Sequence, residues 1–167
     1  MKTIYLAAYH QSRFGKLGEA TVPAMLEAAV AGACDEIGCD AAQVDVASVA
    51  AACNFTLNRQ GLLAGLVASV PGLEGKPIEA VENACASGGQ AVLAVAQKLL
   101  LGMGDVGIAI GYEKMRGDDG KVDGARVGEV LGYFSHPDER AGKVYVFPHL
   151  FAEIMACLLY TSPSPRD

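Results

Sequence analysis

The chain has 167 residues, 51% of them hydrophobic and 19% charged, which is enough apolar surface for a packed core and excludes a disordered segment. A formal net charge of −6 and a pI near 5.0 exclude the basic footprint that nucleic-acid binding requires. No window of about 18 residues is apolar throughout, so no membrane span is expected, and the apolar run in MKTIYLAAYHQSRFG is too short for a signal peptide.

Taken in chain order, Thr3–Ala8 (TIYLAA) reads as a short first strand. Thr21, Val22 and Pro23 then read as a helix start, because Thr caps free N–H groups and Pro is tolerated in the first turn. Val22, Met25, Leu26, Ala29, Val30, Ala33 and Ile37 recur at helical spacing, and Gly38 is a natural stop. Val44–Ala52, nearly all apolar or small, predicts a second strand. Leu62, Leu63, Leu66, Val67 and Val70 predict a second helix, ended by Pro71-Gly72. Pro77–Val81 predicts a third strand.

Ser87–Leu101 predicts a third helix. It is apolar almost all round, through Ala91, Val92, Leu93, Ala94, Val95, Ala96, Leu99, Leu100 and Leu101, as expected of a helix buried between layers. Gly102 and Gly104 end it. Val106–Ile110 is then a continuous apolar run of the kind that suits a parallel sheet covered on both faces. The order βαβαβαβ predicts an α/β fold with a mainly parallel sheet. From Arg116 to Lys143 the chain is rich in Gly, Asp and Arg and reads as a surface segment, and Val144–Ala156 predicts a further short helix. CLLYTSPSPRD, residues 157–167, continues no pattern. It resembles a translated sequencing adapter and is expected to be a non-native tail; a disordered native tail is the alternative.

Five cysteines are present: Cys34, Cys39, Cys53, Cys85 and Cys157. They form no CxxC pair and no His-Cys cluster with metal-ligand spacing, so free thiols in a reducing cytoplasm are expected and no metal is. The informative stretch is Glu82-Asn83-Ala84-Cys85-Ala86-Ser87-Gly88-Gly89-Gln90. A strand leads in, a turn of small residues follows, and the apolar helix leads out. A cysteine there sits at a helix N-terminus, where unpaired N–H groups and the positive end of the dipole favour the thiolate. The same N–H groups can stabilise the oxyanion formed when a thiolate attacks a thioester. A buried thiol acting as a small hydrophobe fits the same spacing.

VENACASGGQAVLAVAQKLLLGMGDVGIAIGYEKM resembles the nucleophile segment of thiolases, with its Cys-Ala-Ser-Gly turn, long helix and strand ending in a Gly-x-Glu-x-Met-like run, here Gly111-Tyr112-Glu113-Lys114-Met115. Arg13-Phe14-Gly15-Lys16 resembles the element that follows the first thiolase strand. The variant is most similar to thiolases related to sterol-carrier-protein thiolase. The resemblance implies one half of a two-half fold over residues 1–115 and the start of an inserted loop domain over 116–156. It implies that Cys85 accepts an acyl group from acyl-CoA, which is substrate rather than cofactor, in a protein that is a homodimer or homotetramer at full length. It further implies acid/base residues in an Asn-Glu or His-Asp type motif, a Gly-His-Gly motif and a Cys-x-Gly motif of the second half, none of which occurs in this sequence. The 167 residues alone are therefore expected to be inactive. Two other readings remain open: a β-ketoacyl-ACP synthase or hydroxymethylglutaryl-CoA synthase-like condensing enzyme, and a non-catalytic thiolase-like scaffold subunit.

The remaining candidates have plainer expectations. His10, His136 and His149 could act as acid/bases but read as solvated loop residues. Cys34, Cys39 and Cys53 read as packing residues. Asn83 could orient the Cys85 turn by hydrogen bonding. Glu113 and Lys114 read as a surface ion pair. Arg116, Lys121, Arg126, Arg140 and Lys143 could attract CoA phosphates, with a solvated loop as the alternative.

Overall fold

The structure, a computed structural model, describes residues 2–15, 20–116, 121–123, 126, 127 and 130. The chain divides into two compact units, Met1–Lys121 and Val122–Asp167. In the second, the Asp123 side chain accepts from the Arg126 N–H at 3.2 Å and its carbonyl from the Val127 N–H at 3.0 Å. The helix expected over Val144–Ala156, most of the segment from 116 to 156, and the tail from Cys157 lie outside the described residues.

The first unit is built from α1 (Val22–Ile37), β1 (Val46–Ala50), α2 (Asn54–Asn58), α3 (Leu63–Ala68), β2 (Ile78–Val81), α4 (Ser87–Leu100) and β3 (Gly107–Gly111). Helix α1 forms where its signals lie. Thr21 accepts the Ala24 N–H at its hydroxyl, Pro23 occupies the first turn, and Gly38 closes the far end in the left-handed conformation (φ 64°, ψ 34°). Val22, Leu26, Val30 and Cys34 recur every four residues and form its buried stripe.

The three strands pair in the order β2-β1-β3, all parallel. β1 is the central strand, and all five of its residues are buried. Its two faces have different partners. Val49 joins Leu26, Val30, Leu63, Val67, Leu73 and Ile110 in the larger core beneath α1 and α3. Val46 packs with Val95 and Leu99 of α4. The result is three layers, with α1 and α3 on one face of the sheet and α4 on the other. The connection from β1 to β2 runs toward one edge and that from β2 to β3 runs back over β1. Two right-handed crossovers in opposite directions put their helices on opposite faces. Gly107 permits the close approach of α4: a Cβ there would lie 2.5 Å from Val95 Cγ1. Asp45 fixes the start of β3 by accepting the N–H groups of Asp105 (2.8 Å) and Val106 (3.0 Å), which hold its carboxyl below the usual carboxylate range. Lys98, in the last turn of α4, pairs with Glu79 of β2.

Three expectations change. Thr3–Ala8 is not a strand: among the described residues no ladder includes it. A strand needs a hydrogen-bonded neighbour, and this segment instead extends along the first unit. Lys2 bonds the Gly104 carbonyl and Asp105, Ile4 packs on Val46, Val95 and Leu99, and Tyr5 and Leu6 are 81% and 87% exposed. Helix α4 is buried along one face only, through Ser87, Ala91, Ala94, Val95 and Leu99. Its other face leaves Val92, Leu93 and Leu100 exposed, because a single sheet covers one side of a helix and no second layer lies over it among the described residues. Likewise β3 buries only Ile110 fully, unlike the two-sided cover of β1. The short helix α2 carries no sequence signal of its own; Arg59 and Leu62 at φ 53° bend the chain between it and α3. No helix of the described residues is long and apolar enough to cross a membrane.

Leu26 has no exposed surface, so Leu26→Ala is expected to lower unfolding free energy by about 2–5 kcal/mol in urea titrations. The exposed face of α4, with Leu101 and Met103 just beyond it, predicts self-association of the 167-residue chain in sedimentation velocity, relieved by Leu93→Glu with Leu100→Glu. A monodisperse, cooperatively melting wild-type monomer would contradict this.

Candidate active site

The strand register brings three chain exits to one level. Ala50 is opposite Val81 on one side and Gly111 on the other. The residues that follow are Ala51-Ala52-Cys53-Asn54 from β1, Glu82-Asn83-Ala84-Cys85 from β2 and Tyr112-Glu113 from β3. In open parallel sheets this carboxyl edge is where ligands bind.

Cys85 lies in a 3₁₀ turn, Ala84–Ala86, that runs directly into α4, one residue before the N-cap Ala86. It is exposed, whereas Cys34 and Cys53 are buried. The turn is held mostly by its own main chain and by Ser87. The buried Ser87 hydroxyl accepts the Asn83 N–H at 2.7 Å and donates to the Ala84 carbonyl at 2.7 Å. The Ala86 N–H returns to the Asn83 carbonyl at 2.9 Å. Asn83 thus orders the turn through its backbone, and its side chain caps no helix. Glu82 accepts the Ala84 N–H. Ala84 is in the left-handed region at φ 44°, which costs a residue with a Cβ about 1–2 kcal/mol. That strain sits on the residue immediately before the thiol. The first turn of any helix leaves N–H groups without intrahelical partners, and Cys85 enters α4 at that end.

Among the described residues Glu113 is not half of an ion pair. Its carboxylate turns onto the exit of β1, where it accepts the Ala52 N–H at 2.8 Å and the Cys53 N–H at 3.1 and 3.2 Å. Tyr112 closes the same seam: its N–H donates to the Ala50 carbonyl at 3.1 Å and its hydroxyl donates to Asn54, which is 4% exposed. Burial, then the neighbouring Glu113 charge, holds the Tyr112 hydroxyl well above its ordinary value, so it remains a donor. Burial also pushes the Cys53 thiol up, followed by the charges of Glu113, Cys85 and Glu82. Because Ala50 and Val81 are level, the exits that carry the two thiols are neighbours, and the thiols differ in character: Cys53 is buried and Cys85 exposed.

The other candidates lie elsewhere. The His10 ring lies against Gly32 of α1, and His136 and His149 are outside the described residues. Cys34 and Cys39 sit together at the end of α1, where burial and then Cys39 push the Cys34 thiol to about 11. Arg140 and Lys143 are outside the described residues; Arg116 and Lys121 both have partners. Sequence reasoning missed Ser87, Tyr112 and Glu113 as parts of this edge. The available signal was position: in a parallel sheet, residues just after each strand meet.

Residues 5–145 match the family model described as thiolase, N-terminal domain. The chain belongs to the thiolase family. It is 27% identical to an acetyl-CoA acetyltransferase of Methanothermobacter thermautotrophicus over 167 residues, which is all of this chain and 42% of that protein. It is 30% identical to an acetyl-CoA acetyltransferase of Methanocaldococcus jannaschii over 115 residues, which is 69% of this chain and 29% of that protein. The chain therefore spans about two fifths of the length of the first of these relatives.

Ser87→Ala removes both bonds that brace the Cys85 turn. It is expected to cost about 1–3 kcal/mol of stability by leaving an N–H and a carbonyl unpaired, with Ser87→Thr recovering most of it in thermal unfolding.

Proposed function

We propose that the complete protein transfers acyl groups between CoA thioesters, by Claisen condensation or its reverse, thiolysis, with Cys85 as the nucleophile. The observation that carries this reading is an exposed thiol in a braced turn at the level carboxyl edge of the sheet, in a chain of the thiolase family. The curated relatives are named acetyl-CoA acetyltransferase, which favours acetyl-CoA as a substrate.

The chemistry starts with the Cys85 thiolate attacking the thioester carbonyl. A C–S bond forms, the carbonyl π electrons move to oxygen, and backbone N–H groups in the first turn of α4 would receive that oxyanion. Collapse expels the CoA thiolate and leaves an acyl thioester on Cys85. In condensation, the α-carbanion of a second acyl-CoA attacks this acyl group and releases Cys85; in thiolysis, a CoA thiol attacks it. Cys53, buried and held above the usual thiol range, stays protonated at neutral pH and does not compete as a nucleophile. The α-proton and thiol protons need acid/base groups, which the family resemblance assigns to motifs that this sequence lacks. Turnover by the 167 residues alone is therefore expected to be absent.

The test is labelling by radioactive acetyl-CoA in a chain extended by whatever segments adjoin these residues in the natural protein. Label should appear on the peptide containing Cys85 and vanish in Cys85→Ala. Label retained in that variant would falsify the assignment.

A further inference from the structure

The Glu113 carboxylate is an unusual cross-brace. It follows β3, yet both backbone groups it binds follow β1, about sixty residues earlier in the chain (Ala52 and Cys53). Each of its oxygens is used: Oε2 on Ala52, and both Oε1 and Oε2 on Cys53. Peptide N–H groups in a strand exit have no ladder partner there, so without an acceptor the exit could adopt several conformations. The half-buried carboxylate removes that freedom at the segment that carries Cys53, which leaves β1 level with the adjacent β2 exit that carries Glu82 and Cys85. Tyr112 and Asn54 repeat the pattern one residue away on each strand. The brace thus lies between the sheet and the wall of the site rather than on an outer surface.

We propose, resting on the acyl-transfer reading of Cys85, that Glu113 is a positioning residue for that reaction: by binding the Ala52 and Cys53 N–H groups it fixes the β1 exit as the wall beside the Cys85 turn and so sets the angle from which a thioester reaches the sulfur. Glu113 touches neither the sulfur nor the reacting carbonyl in this role. Its effect is geometric, and geometry of approach acts on the rate of the chemical step more than on the affinity for the whole thioester, most of whose contacts lie elsewhere.

The experiment follows acylation of Cys85 by acetyl-CoA in the protein with its natural flanking segments, read as the mass gain of the Cys85 peptide against time and acetyl-CoA concentration. Glu113→Ala should lower the maximal acylation rate by about a hundredfold, the scale of a misplaced reacting group, and leave the half-saturating concentration nearly unchanged. Glu113→Gln keeps one acceptor oxygen and should fall between Glu113→Ala and wild type. Amide exchange at Ala52 and Cys53 should accelerate in the same order. A folded Glu113→Ala protein that acylates at the wild-type maximal rate, or that loses only affinity, overturns the proposal. If Glu113→Ala does not fold, Glu113→Gln decides by the same criterion. If wild type itself takes no acetyl group from acetyl-CoA, the acyl-transfer reading fails. Amide exchange, with the rate of Cys85 alkylation by iodoacetamide, then judges the brace separately: unchanged values in the Glu113 variants overturn it, and altered values keep its positioning role.

Discussion

Everything at the candidate site depends on the burial of β1 between two parallel neighbours. Val46–Ala50 has no solvent-facing side, so its register with β2 and β3 cannot slip by one residue without turning Val46 and Val49 away from their separate cores. That fixed register is what makes Ala50, Val81 and Gly111 level. Three exits separated by some thirty residues each in sequence then deliver Cys53, Cys85 and Glu113 to one edge. The small residues Ser48 and Ala50, on the same face of β1 as Val46, with Gly107 alongside, let α4 approach closely enough for its first turn to start at that edge.

The electrostatics of the edge follow from how its acids are occupied. Two carboxylates, Glu82 and Glu113, leave the sheet at the same edge as Cys53 and Cys85, and free acids beside a thiol oppose its ionisation. Both instead accept backbone N–H groups, Glu82 from Ala84 and Glu113 from Ala52 and Cys53. Part of each negative charge is thereby spread onto peptide dipoles. The cysteines divide by exposure. Cys53 pays the desolvation cost of burial and stays a thiol, while Cys85 stands in the open turn.

Much of the fold was legible because its signals are local. Thr21, Pro23 and Gly38 bound α1 where they were expected to, the apolar run Val44–Ala52 contains β1, and Val106–Ile110 takes in all of β3 but its last residue, Gly111. The Cys85 turn was legible for the same reason, since everything that braces it lies between Glu82 and Ser87. What was illegible depends on partners distant in sequence. TIYLAA has strand composition but no ladder among the described residues, because composition cannot supply a neighbour. The apolar circumference of α4 gave its character but not which side is covered. Glu113 beside Lys114 looked like a solvated pair, and only the β1–β3 register reveals that its carboxylate faces backbone donors.

That division between local and distant bears on how the site is assembled. The nucleophile turn needs only β2, α4 and the residues between them, so its form is set once those two elements dock. The wall beside it needs β1 and β3 to be paired, because Glu113 and Tyr112 reach their partners only through that register. A disturbance at the β1–β3 seam would therefore leave the Cys85 turn intact while moving what faces it. The strained Ala84 points the same way: a left-handed alanine persists only where surrounding bonds over-determine it. Here Glu82 and Ser87 supply them from either side of the thiol. The turn is rigid by local bonding and the wall by long-range bonding, so the spacing between them is the quantity the parallel sheet controls.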